Sequence, residues 1–218
     1  MQRECRGTMG NLLCLAAQCQ RGDEIILGTG SHIFVYEGGG CSAHLGISMH
    51  TIPNLENGAL DVEAIQQAIR DDDPHYPRTT LVAIENTQHI MGGKAIPASI
   101  VEDIGQVCRY AGLKYHVDGA RICNASVALK TSIQDLVRPV DSLSMCLSKG
   151  LGAPVGSVIA GTNEMIYHAR RARKVFGGGM RQSGLLAAAG LFALENNFKR
   201  LAQDHEHATT LAEGLVRC

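Results

Sequence analysis

Lys114-Tyr115-His116-Val117 runs straight into Asp118-Gly119-Ala120-Arg121, and further along Asp141-Ser142-Leu143-Ser144-Met145-Cys146-Leu147 runs into Ser148-Lys149-Gly150. Both are apolar segments of strand length that give way to polar residues and glycine. Working outward, the same pattern recurs. Thr80-Leu81-Val82-Ala83-Ile84 leads into Glu85-Asn86-Thr87, Glu24-Ile25-Ile26-Leu27 is ended by Gly28 and Gly30, and 156–160 completes the series. Segments with helical spacing lie between these strands. Residues 8–19 read as a helix capped by Thr8. Asp61 caps a second helix, with Val62, Ile65 and Ile69 on one face, which the acidic turn Asp71-Asp72-Asp73-Pro74 stops. Pro97 opens a third, striped by Ile100, Ile104, Val107 and Ala111, and Gly112 supplies the stop. Strands alternating with helices predict an α/β fold, a mostly parallel sheet sandwiched by helices. Ligands of such sheets sit beyond the carboxyl ends of the strands, and Glu85, Asp118 and Lys149 all fall at such ends.

The chain has 218 residues, 45% hydrophobic and 19% charged, with a net charge of −1, an ordinary composition for a soluble globular protein. No basic excess is present to hold nucleic acid or an anionic membrane. The eight cysteines are scattered through apolar segments with no Cys-x-x-Cys pair, which predicts reduced thiols and an intracellular, cytoplasmic setting. His205-Glu206-His207 lacks the i, i+4 spacing of helical metal ligands, so no metal is expected. The N-terminal Arg3 and Arg6 followed by Asn11-Leu12-Leu13-Cys14-Leu15-Ala16-Ala17 superficially resemble a signal peptide; the apolar run is short, and a core helix is the expected reading. The stretch 185–194 is too short to span a bilayer.

A lysine in a Ser-Lys-Gly-Leu-Gly-Ala-Pro setting has two readings. It is a surface loop lysine, or a desolvated nucleophile whose flanking glycines admit a planar group. An acidic residue at a neighbouring strand end, Asp118, suits a pyridine nitrogen that must stay protonated; it also suits a helix cap or a partner for Arg121. The two residues together favour the cofactor reading. Gly7-Thr8 at the opening of a helix offers free N–H groups and a positive dipole end to a phosphate, a weak signal by itself.

His116-Val117-Asp118-Gly119-Ala120-Arg121 and the segment from Ser144 through Ser148-Lys149-Gly150-Leu151-Gly152-Ala153-Pro154 to Ser157 resemble the low-specificity threonine aldolases. Further matches are Gly7-Thr8-Met9-Gly10-Asn11, Ser31-His32-Ile33, Glu85-Asn86-Thr87 with Gly92-Gly93, and Gly177-Gly178-Gly179-Met180-Arg181-Gln182. The resemblance runs from about Arg6 to the end of the chain, and the Lys149 segment is its most specific part. It implies a fold type I (aminotransferase-like) enzyme using pyridoxal 5′-phosphate to cleave L-threonine or L-allo-threonine to glycine and acetaldehyde. Lys149 would be the Schiff-base lysine, Asp118 the partner of the pyridinium, and His32 a ring-stacking residue that serves as base or positioner for the β-hydroxyl. Gly7, Thr8, Ser148 and Arg181 would contact the cofactor, while Arg121 and Gln88 would contact the substrate. A homodimer or homotetramer is implied, with 177–182 contributing across the interface.

The chain departs from the family pattern at Gln88, where the family usually has a histidine; His89 follows, and the interval to Gly92-Gly93 aligns Gln88 with it. A neutral amide does not titrate near pH 7. Arg6 stands where the family has a small residue. Family members are considerably longer, so 1–200 is expected as a large domain with an incomplete N-terminus and 201–218 as the start of a helix leading to an absent small C-terminal domain. Two other readings follow: a pyridoxal-phosphate-binding module or co-assembling subunit that is catalytically impaired, and another fold type I lyase or a transaminase.

Overall fold

A computed structural model describes residues 2–4 and 7–217. The strands are β1 (Gln2–Glu4), β2 (Glu24–Gly28), β3 (Ser48–Ile52), β4 (Thr79–Glu85), β5 (Lys114–Asp118), β6 (Ser142–Cys146) and β7 (Ser157–Gly161). They form one sheet in the order β1-β7-β6-β5-β4-β2-β3. The run from β6 to β3 is parallel, and β7 and then β1 pair antiparallel at the other edge. The predicted α/β sheet is present, with its parallel part running from β6 to the β3 edge. The edge strand β3 is not expected from the sequence: Ser48-Met49-His50-Thr51-Ile52 is mostly half-buried and carries no apolar run. A strand covered on one side only leaves a weaker imprint on composition than one buried on both.

The helices are α1 (Gly7–Gln18), α2 (His32–Val35), α3 (Val62–Ala68), α4 (Ala98–Ala111), α5 (Ile122–Leu129), α6 (Ile133–Leu136), α7 (Asn163–Val175), α8 (Gly184–Asn196) and α9 (Leu201–Val216). Period-2 alternation decides which side each strand residue joins. Ile26, Val82, Ile84, Tyr115 and Val117 pack with α3 and α4 residues such as Ile65, Val101 and Ile104. Ile25, Leu27, Leu81 and Ala83 face the opposite way, against Leu15 of α1 and Ile33. Leu13 and Cys14 of α1 meet Ile159 and the α7 residues Met165, Ile166 and Ala169. Each fully buried Leu or Ile contributes on the order of 2 kcal/mol, so the two layers fasten α1 firmly across the parallel strands.

The expected helix ends hold with two corrections. Asp61 accepts from the Glu63 N–H at 3.1 Å as the cap of α3. Gly112 ends α4 in the left-handed region at φ 68°, where a side chain is costly. Helix α1, however, begins at Gly7, so Thr8 lies in its first turn and is not its cap. Ile69 has left α3 for extended backbone, although it still packs on the core beside that helix.

Gly119, immediately after β5, is required by close approach. Its N–H donates to the Ser144 carbonyl at 2.8 Å. A Cβ there would run into Leu143 Cδ1 and lie 3.0 Å from the Ser144 carbonyl oxygen. Backbone cannot yield as a flexible side chain does, so Gly119→Ala is expected to cost roughly 1–3 kcal/mol. A thermal or denaturant unfolding midpoint checks this; an unchanged midpoint would refute it.

Candidate active site

The register of the sheet brings the polar strand ends side by side. Glu85 of β4 is opposite Asp118 of β5, and Asp118 is opposite Ser144 of β6. Lys149 follows β6 by three residues, on a loop that turns back through the bond from Gly152 N–H to the Lys149 carbonyl at 2.8 Å. Helix α1 runs beneath these ends and supplies Asn11, which is 1% exposed.

Asn11 is the hub of a hydrogen-bond network whose direction can be assigned at each link. Its Oδ1 accepts from Ser144 Oγ at 2.5 Å and from His116 Nε2 at 3.2 Å. Its Nδ2 donates to Asp118 Oδ2 and to Glu37 Oε1, both at 2.8 Å. Two carboxylates that only accept fix the amide orientation. Behind Asn11, His116 is wholly buried, and burial pulls its imidazole down to about 4. It is therefore neutral near pH 7, with the proton on Nε2 facing Asn11, while Nδ1 lies 2.8 Å from Ser142 Oγ and 3.2 Å from the Ser142 carbonyl oxygen. The second oxygen of Asp118 accepts from the Ala120 N–H at 3.0 Å. Asp118 is thus held on both oxygens at the centre of the sheet's carboxyl edge.

His32 and Glu37 lie on the other side of Asn11. His32 Nδ1 is 3.0 Å from Glu37 Oε1, and one side-chain polar atom each of His32, Glu37 and Asp118 lie within 4.8 Å of one another. The hydrogen bond to Glu37 raises the His32 imidazole above its ordinary value, against a smaller downward pull from burial. Glu85 fixes the His32 backbone: its Oε2 accepts from the His32 N–H at 3.0 Å, and its Oε1 accepts from the His89 N–H at 3.2 Å. Burial and then Asp118 push the Glu85 carboxyl up to about 7.

Cys146, the last residue of β6, feels the charges of the other predicted residues. Burial raises its thiol, while the charges of Lys149 and Arg121 pull it down and Asp118 pushes it up, so all three are within electrostatic reach. A Cβ on Gly7 would lie 2.9 Å from Cys146 Sγ, so the N-terminal end of α1 abuts the same residue. Gly7 therefore packs against Cys146, the charges of Asp118, Arg121 and Lys149 reach that thiol, and His32 lies beside Asp118. Neither Lys149 nor Arg121 has a salt-bridge partner among the described residues. Thr8 is half-buried in the first turn of α1, and Ser148 and Arg181 are exposed. Gly178 brings the 177–182 segment onto α1, since a Cβ there would meet Met9 Sδ at 2.5 Å.

Gln88 stands differently. It is 1% exposed, its Nε2 donates to the Gly30 carbonyl at 2.7 Å, and its Oε1 accepts from the Met91 N–H at 2.8 Å. Both ends of its amide are committed to the protein, which gives it a scaffolding place beside Glu85. Asn11, Glu37 and His116 do not stand out as site residues in the sequence. Asn11 is visible there only as one position of a matching motif, and Glu37 sits before Gly38-Gly39-Gly40, where no periodicity signals burial.

The model of one known family, described as beta-eliminating lyase, matches residues 5–218. The chain belongs to the beta-eliminating lyase family. Among curated relatives of this family member, a probable low-specificity L-threonine aldolase 2 of Arabidopsis thaliana is 49% identical over 214 residues, 97% of this chain and 60% of that protein. The low specificity L-threonine aldolase of Escherichia coli K12 is 43% identical over 209 residues, 96% of this chain and 62% of that protein. A solved threonine aldolase of Leishmania major superposes with a TM-score of 0.89 at 26% identity, covering 99% of this chain and 64% of that one. The chain spans about three fifths of the length of the curated relatives it matches.

This beta-eliminating lyase chain carries a donor set that fits pyridoxal phosphate. A buried carboxylate held on both oxygens suits a protonated ring nitrogen, and a lysine with no ion-pair partner among the described residues suits a carbonyl carbon. The start of α1 at Gly7 presents backbone N–H groups of the kind that receive a phosphate.

Proposed function

We propose that the chain binds pyridoxal 5′-phosphate and cleaves L-threonine or L-allo-threonine to glycine and acetaldehyde. The observation that carries this reading is the placement of Asp118 and Lys149 at neighbouring strand ends, with Asp118 clamped by Asn11 and Ala120. When bound, the cofactor supplies an aldehyde for an amine and a ring that takes up the electron pair of the breaking Cα–Cβ bond.

Each residue then has a defined task. Lys149 would hold the cofactor through its amine. Asp118 keeps a proton on the ring nitrogen. Gly7 and Thr8 offer N–H groups at the positive end of the α1 dipole to the phosphate, and Ser148 and Arg181 extend that contact. Arg121 provides a planar donor fork for the substrate carboxylate. His32 accepts the proton leaving the β-hydroxyl. Gln88, whose amide is consumed internally, supports the loop that carries this chemistry. A homo-oligomer in which 177–182 reaches a neighbouring subunit fits the exposure of Met180 and Arg181.

Product analysis tests the proposal. The purified chain, supplied with pyridoxal phosphate and L-threonine, is expected to release acetaldehyde and glycine in equal amounts. Release of 2-oxobutyrate with ammonia would assign a dehydratase, and a bound cofactor without turnover would assign a binding module. The module reading draws support from Leu185, Phe192, Leu211 and Leu215, each more than half exposed along α8 and α9, since apolar surface of that kind suits a partner subunit.

A further inference from the structure

We infer that Glu37 is a positioning residue which fixes His32 as the Nδ1-protonated imidazole and leaves Nε2 as the nitrogen that exchanges a proton with the substrate. The inference deepens the proposed reading of the site, and only its substrate step rests on that reading.

Glu37 is an unusual residue to bury. Its side chain is 1% exposed, and among the described residues no Lys or Arg is paired with it. One oxygen, Oε1, receives both His32 Nδ1 at 3.0 Å and Asn11 Nδ2 at 2.8 Å. The Asn11 donor cannot turn away, because its Oδ1 is engaged by Ser144 and His116. Glu37 is therefore held in place from behind while His32 approaches from the front. A carboxylate offers no hydrogen, so the proton between the two sits on Nδ1. The second oxygen, Oε2, is buried without a hydrogen-bond partner among the described residues; burial raises the Glu37 carboxyl, and the bonds from His32 and Asn11 to Oε1 pull it back towards the charged form.

The groups around the ring all favour a second proton on it. Glu37 lies five residues along the same segment, Asp118 comes from β5 and Glu85 from β4. Tyr36 packs on the ring at 5.5 Å between centroids, and His89 packs on Tyr36 at 6.1 Å. An imidazolium formed by uptake at Nε2 would face three carboxyl groups. This is the division of labour in a Ser-His-Asp triad, where the acid holds the tautomer and favours the charged imidazole without taking the proton itself.

The step balances. The β-hydroxyl O–H bond breaks and an Nε2–H bond forms; the freed O–H pair becomes the second C–O bond of acetaldehyde. The Cα–Cβ pair departs on the α-carbon, and a proton delivered there completes glycine.

The test is a nitrogen-resolved NMR pH titration of His32 in the full chain and in Glu37→Gln, assigned with His32→Asn. The wild-type ring is expected to show the Nδ1–H tautomer and a midpoint above that of an ordinary histidine. In Glu37→Gln the midpoint is expected to fall by about one pH unit, a tenfold loss of proton affinity. Because the base must be unprotonated to act, the acid limb of kcat/KM should move to lower pH in the variant. Its plateau should drop on the order of 10²-fold, while the cofactor absorbance band remains. An Nε2–H tautomer in the wild type, or an unmoved midpoint in Glu37→Gln, overturns the inference. The wild-type tautomer decides it even if Glu37→Gln fails to fold. A chain that releases no acetaldehyde defeats the proposed reaction, whereas the titration still decides the pairing.

Discussion

Lys149→Ala is expected to leave a folded chain that does not retain pyridoxal phosphate covalently, with acetaldehyde release from threonine lowered by roughly 10³-fold or more, the scale on which loss of a covalent catalyst acts. The fold should tolerate the change. Lys149 is half-buried on a loop, it forms no salt bridge among the described residues, and its backbone bond to Gly152 does not depend on the side chain. Stability is therefore expected to stay within about 0.5 kcal/mol, as for substitutions that touch no packed or paired group. The direct measurement is the visible absorbance of the chain after incubation with the cofactor and dialysis, with borohydride reduction and peptide mapping to find the modified lysine. A band that persists in Lys149→Ala, or a label on another lysine such as Lys174, would remove Lys149 from the role.

How much of the fold and the site is legible in the sequence depends on whether the signal is local. The strands around Ile25, Val82, Val117 and Leu143 announce themselves because strands buried on both faces become continuous apolar runs. A polar residue at the end of such a run stands out, which makes Glu85, Asp118 and Lys149 visible from the amino-acid sequence alone. The edge strand β3 has no such run and leaves no comparable mark. Asn11 cannot be read as a site residue from sequence because the feature that defines it is a contact with Asp118, 107 positions away. Within its helix it is one polar residue in an apolar face, a pattern equally suited to solvent exposure. His116 looks like part of a strand, and only the neighbouring strand's Ser142 and the helix's Asn11 reveal it as a relay. Glu37 is the clearest case. Glycine-flanked carboxylates are ordinary on loop surfaces, and only the structure shows this one enclosed with His32 and Asn11. Gln88 is legible as a departure from the family pattern, but its tie to the Gly30 carbonyl is not.

The dependence of the site on that non-local network gives Asp118→Asn two separable consequences. The carboxylate accepts from the Asn11 amide on one oxygen and from the Ala120 N–H on the other, at 2.8 and 3.0 Å. An asparagine presents one oxygen and one NH₂, so one of those two donors would face another donor inside a buried site. That mismatch costs about 1–3 kcal/mol, read as a lowered unfolding midpoint in the chain without cofactor. The second consequence is chemical. A neutral amide cannot hold a proton on the ring nitrogen, and removing a preorganised charge from a reacting centre typically lowers turnover by about 10²–10³-fold. Lys149 is untouched, so Asp118→Asn should still bind the cofactor covalently and show its absorbance band while cleaving threonine poorly. Lys149→Ala should lose both band and turnover. Measuring the band and acetaldehyde release together therefore separates anchoring from electron withdrawal. Asp118→Asn with wild-type turnover would show that Asp118 serves the Asn11 network alone and would reassign the pyridine partner.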